Sequence, residues 1–174
     1  GKTRLALTCP TPVFIDSYDP GGTKTRELRP LIDSGDIIVC NDWEGDSWKK
    51  PYAFDAWEKE MEARIKMGFF EFIGTYMLDS LTKMADSIMF QILKKGGKTG
   101  SRVGQVPELQ DYLVQQLTVV DWLGRIAALP CHTIITGHIA REQDSVSGAI
   151  ETGLLLAGKL VEKVPLIFDE KYIT

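Results

Sequence analysis

An α/β fold built on a mostly parallel sheet is what this sequence predicts, on three observations. Short β-prone apolar runs alternate with longer stretches of helical periodicity, and no internal repeat or domain boundary interrupts them. Two of the runs end on an acid, Val13-Phe14-Ile15-Asp16 and the run closing at Met77-Leu78-Asp79, and strand ends are where a parallel sheet gathers its polar groups. A length of 174 residues with 44% apolar content suits one domain with a sizeable core.

The elements follow in order. Arg4-Leu5-Ala6-Leu7 reads as an opening helix, broken at Cys9-Pro10-Thr11-Pro12. Val13 to Asp16 is a strand, Lys24 to Ile32 a helix capped by Thr23, and Asp36 to Cys40 a second strand. Trp43 to Pro51 reads as a loop. From Tyr52 to Lys66, Phe54, Trp57, Met61 and Ile65 recur at helical spacing and leave Glu58, Lys59, Glu62 and Arg64 for the wet face. Phe70 to Leu78 is the central strand and the helix after it runs to about Leu93. The Gly, Lys, Ser and Arg residues between Lys94 and Gly104 predict a mobile loop. Glu108 to Leu129 is a long helix closed by Pro130, and Cys131 to Thr136 a buried strand. Arg141 to Glu151 is a polar hairpin or excursion, and Pro165 to Glu170 leads into a last short strand.

Composition removes several classes of function. The net charge of -4 gives no global basic field, so contact with nucleic acid must come from a local patch or an oligomeric surface. The cysteines, Cys9, Cys40 and Cys131, are odd in number and lack CxxC spacing, which points to a reduced cytosolic protein with cysteines buried as small apolar residues. His132 and His138 have no cysteine pair beside them, which argues against structural zinc, and no apolar stretch reaches membrane-spanning length.

Three short motifs carry chemistry. Gly1-Lys2-Thr3 before a helical run reads as the second half of a phosphate-binding P-loop, with Lys2 reaching phosphate oxygens and the Thr3 hydroxyl binding Mg²⁺. Asp79 at the end of an apolar strand is what a Walker B element requires, a carboxylate that holds Mg²⁺ through its water shell. The alternative is that Asp79 or Ser80 merely caps the next helix. Thr136-Gly137-His138 ends another strand, well placed to feel a terminal phosphate, whereas His132 at that strand's start reads as structural.

The order Gly1-Lys2-Thr3, Phe14-Ile15-Asp16-Ser17-Tyr18-Asp19-Pro20-Gly21-Gly22, Tyr76-Met77-Leu78-Asp79-Ser80, Thr136-Gly137-His138, Ala157-Gly158-Lys159 and Phe168-Asp169-Glu170 resembles the phage-encoded ATPases of the RecA/RadA type, associated with single-strand annealing. The resemblance covers nearly the whole chain. It implies a three-layer RecA-like P-loop NTPase that binds ATP and Mg²⁺, forms homo-oligomers and acts on single-stranded DNA in recombination, in the cytoplasm of a phage-carrying host. The domain would be truncated within the P-loop at its start, and the abrupt Tyr172-Ile173-Thr174 would fit a truncation at its end as well.

By the same resemblance, Gly1, Lys2 and Thr3 form the P-loop end and Asp79 the Walker B acid. Asp19 takes the place of the carboxylate that activates water, with Asp16 second, although the family usually has Glu there. His138 replaces a glutamine that reports the γ-phosphate state. Arg141 or Lys159 would reach the nucleotide of a neighbouring subunit, the alternative for each being a solvated surface charge. Segments 94–104 and 141–151 correspond by order to two DNA-contacting loops.

Two further readings stay open. A DNA-packaging or helicase-type motor would share the core, but such motors usually place Glu directly after the Walker B Asp, where this chain has Ser80. A non-catalytic assembly protein would keep the fold without a working P-loop.

Overall fold

The computed structural model describes residues 2–96, 100–143 and 150–172, with Lys2, Glu142, Gln143, Ile150 and Glu151 as backbone only. Four strands, β1 (Val13–Ser17), β2 (Ile37–Cys40), β3 (Thr75–Asp79) and β4 (His132–Ile135), form a parallel sheet in the order β2-β1-β3-β4. Because all four run the same way, the ends of β1 and β3 meet at one edge, where Ser17 lies in register with Asp79. A separate antiparallel ribbon pairs β5 (Ile139–Gln143) with β6 (Ile150–Leu154). This is the hairpin that the polar 141–151 segment predicts; residues 144–149 lie outside the described residues.

Side chains alternate across the sheet, so each strand feeds two cores. Val13 and Ile15 of β1, Ile37 of β2 and Met77 of β3 point one way, toward Ala6 of the 3₁₀ turn Lys2–Thr8, Leu28, and Leu31 and Ile32 of α1 (Arg29–Ser34). Phe14, Tyr76 and Leu78 point the other way. They meet Phe54, Trp57 and Met61 of α2 (Ala53–Lys66), Met84 and Ile88 of α3 (Leu81–Lys95), and Trp122, Leu123 and Ile126 of α4 (Leu109–Ala127). Trp57 and Trp122 stack edge to face at 4.7 Å in the middle of this larger core. With both faces covered, the strands read as continuous apolar runs.

Several elements differ from the sequence reading. The helix expected over Lys24 to Ile32 begins at Arg29, because Pro30 has no N–H and is tolerated only in the first helical turn. Residues 21–28 instead form turns, with Gly21 at φ 85° and Lys24 N–H donating to Gly21 O at 3.2 Å. The central strand starts at Thr75 rather than Phe70, since its partner β1 begins only at Val13; Phe69–Phe72 is a 3₁₀ turn. Gly74 is pressed so closely on the 10–12 segment that a Cβ there would lie 2.6 Å from Pro10 O and Thr11 O.

No strand lies over 165–170. α5 (Leu160–Lys163) passes into a 3₁₀ turn at Val164–Leu166, where Pro165 again suits a first turn and would have removed a ladder donor from a strand. The segment after α3 is tied back by Arg102, whose N–H donates to Leu93 O at 2.7 Å and whose side chain pairs with Asp111 at 2.5 Å; residues 97–99 lie outside the described residues. The three cysteines are free and half-buried rather than fully packed, and His132 is exposed on its edge strand. Among the described residues no helix is long and apolar enough to cross a membrane.

The helix over 52–66 is present as α2, but its faces are shifted. Arg64, assigned to the wet face, is 8% exposed, while Ile65, assigned to the core, is 37% exposed. A buried guanidinium requires a charged partner, and Arg64 has one in Asp16, 3.1 Å away.

Candidate functional site

The carboxyl edge of β1 and β3 builds the site. Period-two alternation sends the side chains of Ser17 and Asp79 to the face covered by the 3₁₀ turn Lys2–Thr8, and this brings Thr3 over Asp79. Thr3 Oγ1 donates to Asp79 Oδ2 at 2.6 Å, and Thr136 Oγ1, just beyond the neighbouring β4, donates to Asp79 Oδ1 at 2.5 Å. Asp79 is wholly buried, with Thr3 at 8% and Thr136 at 5% exposure. Its carboxylate is therefore held from both sides by hydroxyls.

Asp79 also anchors the loop after β1. Its carbonyl accepts from the N–H groups of Tyr18 at 2.5 Å and Asp19 at 3.1 Å. The loop then turns at Gly21 and lays Gly22 against the site, where a Cβ would stand 3.1 Å from Asp79 Oδ2 and 3.3 Å from Thr3 Oγ1. The helix-cap reading of this strand end fails: Ser80 occupies the N-cap position of α3 without a side-chain cap bond, and its buried hydroxyl has no hydrogen-bond partner among the described residues. The Asp79-Ser80 peptide is cis.

A second pair lies beside the first. His138 Nε2 is 2.9 Å from Asp19 Oδ2, with the side chains 37% and 15% exposed, and the His138 N–H donates to Thr82 Oγ1 at 3.0 Å. Thus Thr3, Asp79, Asp19 and His138 are brought to one edge. Gly1 lies outside the described residues, and Lys2, described as backbone only, opens the 3₁₀ turn. Arg141, in β5, and Lys159, at the start of α5, are both exposed. Lys159 lines a groove with Gln116 and Gly158 beside α4.

Asp16 is not at this edge. One residue before Ser17, it points to the opposite face and is wholly buried. It accepts from Trp43 Nε1 at 2.9 Å, Trp57 Nε1 at 3.0 Å, the Tyr76 hydroxyl at 2.9 Å and Arg64 Nη1 at 3.1 Å. A water-handling role does not fit a carboxylate whose two oxygens are taken up by four side chains in a dry core. Burial works against the Arg64 charge, but Asp16 and Cys40 beside it raise the guanidinium above its ordinary value. Burial first, and then the Asp16 charge, push the Tyr76 and Tyr18 hydroxyls well above the usual tyrosine value.

Sequence reasoning missed Arg64 and the three rings around Asp16. The signal for Arg64 was available, since Trp57, Met61 and Arg64 follow i, i+4, i+7 spacing. It also missed Glu44, half-buried after β2, which accepts from Ser17 Oγ at 2.7 Å and adds a further carboxylate near the edge. No pattern in the sequence marks that residue.

One carboxylate and one hydroxyl, with Gly22 packed close beside them, form a sparse all-oxygen donor set. Such a set fits a hard cation that keeps most of its waters or shares them with phosphates, as Mg²⁺ does. Among the described residues no group of three or more His, Cys, Asp or Glu side chains is gathered as a soft-metal or all-protein cage would need. Comparison with protein-family models, with curated proteins and with solved structures finds no match.

Proposed function

We propose that this chain is a Mg²⁺-dependent ATPase domain of the RecA/RadA type that acts on single-stranded DNA. The observation that carries the reading is the 2.6 Å hydrogen bond between Thr3 and Asp79, 76 residues apart. It joins the threonine of the Gly-Lys-Thr sequence to the acid that ends the central strand, the two protein groups that a P-loop enzyme shares around its metal. Gly22 supports the same assignment by its close approach, since a side chain there would crowd both oxygens.

In this reading Thr3 and Asp79 hold Mg²⁺, and Lys2 binds phosphate oxygens. The ion, when bound, neutralises charge on the transferring phosphoryl group. Asp19 orients the attacking water, and His138, 2.9 Å from it, fixes that carboxylate and senses the terminal phosphate. Arg141 and Lys159 remain candidates for contact with a neighbouring subunit's nucleotide in a homo-oligomer, and the 94–104 and 141–151 segments for contact with DNA.

The test is ATP turnover by the full-length protein with and without single-stranded DNA. The reading expects DNA-stimulated hydrolysis, abolished in Lys2→Ala and Asp79→Ala, and slowed about 100-fold or more in Asp19→Asn with nucleotide binding retained. Turnover indifferent to Asp79→Ala, or no nucleotide binding by the wild type, overturns it.

A further inference from the structure

One residue beyond Gly22 the chain enters a second feature. Thr23, Lys24, Thr25, Arg26 and Arg29 line an open cleft of about 440 Å³ against Ile32 and Asp33 of α1 and Val39 and Asn41 at the end of β2. Lys24, Arg26 and Arg29 are all exposed. The one acid in the wall, Asp33, is already paired with Arg29 at 3.4 Å, and the neighbouring Glu27 is paired with Arg4 at 2.7 Å. Lys24 and Arg26 make no ion pair among the described residues. In a chain of net charge -4 this is a local excess of unpaired positive charge.

We propose that this cleft binds the phosphodiester backbone of single-stranded nucleic acid. Two unpaired cations, the Thr25 hydroxyl and the Asn41 carboxamide all offer hydrogen-bond donors to a phosphate chain. No aromatic side chain lines the cleft, so nothing there stacks on a base, and recognition is of the backbone without regard to sequence. The cleft adjoins the Asp79 edge through Gly22, so a strand lying in it contacts the same loop that carries Asp19. The choice of nucleic acid over another polyanion rests on the proposed DNA-dependent activity. The positive cleft itself does not.

The experiment is fluorescence anisotropy of a labelled oligo(dT) with the full-length protein over a range of salt. Wild type is compared with Lys24→Ala/Arg26→Ala, which breaks no ion pair, and with the charge-matched control Lys49→Ala/Lys50→Ala, on an exposed loop elsewhere. Binding of an ATP analogue is measured on the same samples.

The cleft variant is expected to bind oligo(dT) at least about tenfold more weakly, and to lose about 1.4 from the slope of log K against log salt for its two missing cations, while the control stays near wild type. Retained analogue binding shows that the variant is folded. Equal affinity and slope in the variant and wild type overturn the proposal, as does an equal loss in the control. Analogue binding without oligo(dT) binding by wild type also overturns it, and leaves standing the nucleotide-binding half of the ATPase reading without its DNA half. Cleft-dependent oligo(dT) binding without analogue binding supports the cleft and sinks the ATPase reading.

Discussion

The Arg64 guanidinium, carried by α2, reaches across to the Asp16 carboxylate of β1 at 3.1 Å, in a core where Asp16 has no exposed surface at all. Two tryptophan N–H groups and the Tyr76 hydroxyl complete the carboxylate's shell. The pair welds the helix layer to the strand whose end bears Ser17 and Asp19. Removing one partner leaves a buried charge facing neutral donors. Arg64→Leu is therefore expected to cost about 3–5 kcal/mol in urea denaturation at neutral pH. Adding Asp16→Asn should restore part of that loss, giving a non-additive cycle. A cost below about 1 kcal/mol for Arg64→Leu would mean that water relieves the charge.

Gly22 has an ordinary φ, so a substitution there tests space alone. In Gly22→Ala the new methyl meets Asp79 Oδ2 at 3.1 Å and Thr3 Oγ1 at 3.3 Å. The melting temperature should change by only a few degrees, whereas Mg²⁺-dependent binding of an ATP analogue should weaken by at least about tenfold, or about 1.4 kcal/mol. Calorimetric titration with and without Mg²⁺ reads this. Unchanged binding would place the ligand elsewhere.

The Tyr18 hydroxyl is buried without a hydrogen-bond partner among the described residues. Tyr18→Phe removes that unmet need and is expected to stabilise the fold by about 1 kcal/mol. The hydroxyl also titrates well above its ordinary value of 10.0 because of burial, with the Asp16 charge adding to it. Below pH 10 both states hold the proton. Above it the unfolded chain releases the proton first, so stability falls as pH rises toward the folded value. The advantage of Tyr18→Phe over wild type should therefore widen in melts run above pH 10, and a constant gap across that range would contradict the burial of the hydroxyl.

Asp111, at the start of α4, accepts from Arg102 and from the Glu108 N–H, and the Arg102 bond holds its carboxyl below the ordinary 3.8. A lowered folded-state value contributes stability that is complete above 3.8 and disappears as pH falls through the folded value. Wild type should be more stable than Asp111→Asn at pH 6, and the two should converge in melts carried toward pH 2. A difference that survives full acidification would assign the effect to packing instead.

The parallel sheet was legible because its strands are apolar runs punctuated by polar ends, and α2, α3 and α4 because their periodicity is long. What sequence could not resolve is register. Asp16 and Asp79 look alike as acids closing apolar strands, yet Asp79 pairs with Ser17 and shares its face, while Asp16 pairs with Leu78 and points to the helices. A period of two sends neighbouring positions to opposite sides, so an offset of one residue separates an acid beneath the Thr3 turn from one among the helices, although both are wholly buried. Arg64 was misread for a related reason: its charge was visible but its partner, 48 residues away, was not. The start of α1 was legible in principle, because Pro30 outranks the favourable helix formers before it.

The two hydroxyls on Asp79 come from positions 76 residues before it and 57 residues after it. Neither contact can form while only a neighbouring stretch of chain has ordered, since each closes a long loop whose entropy must be met before the bond contributes anything. The constellation therefore exists only where three segments far apart in the chain have been brought to one sheet edge. Competence at this edge is thus a property of the tertiary fold and of no single stretch of chain.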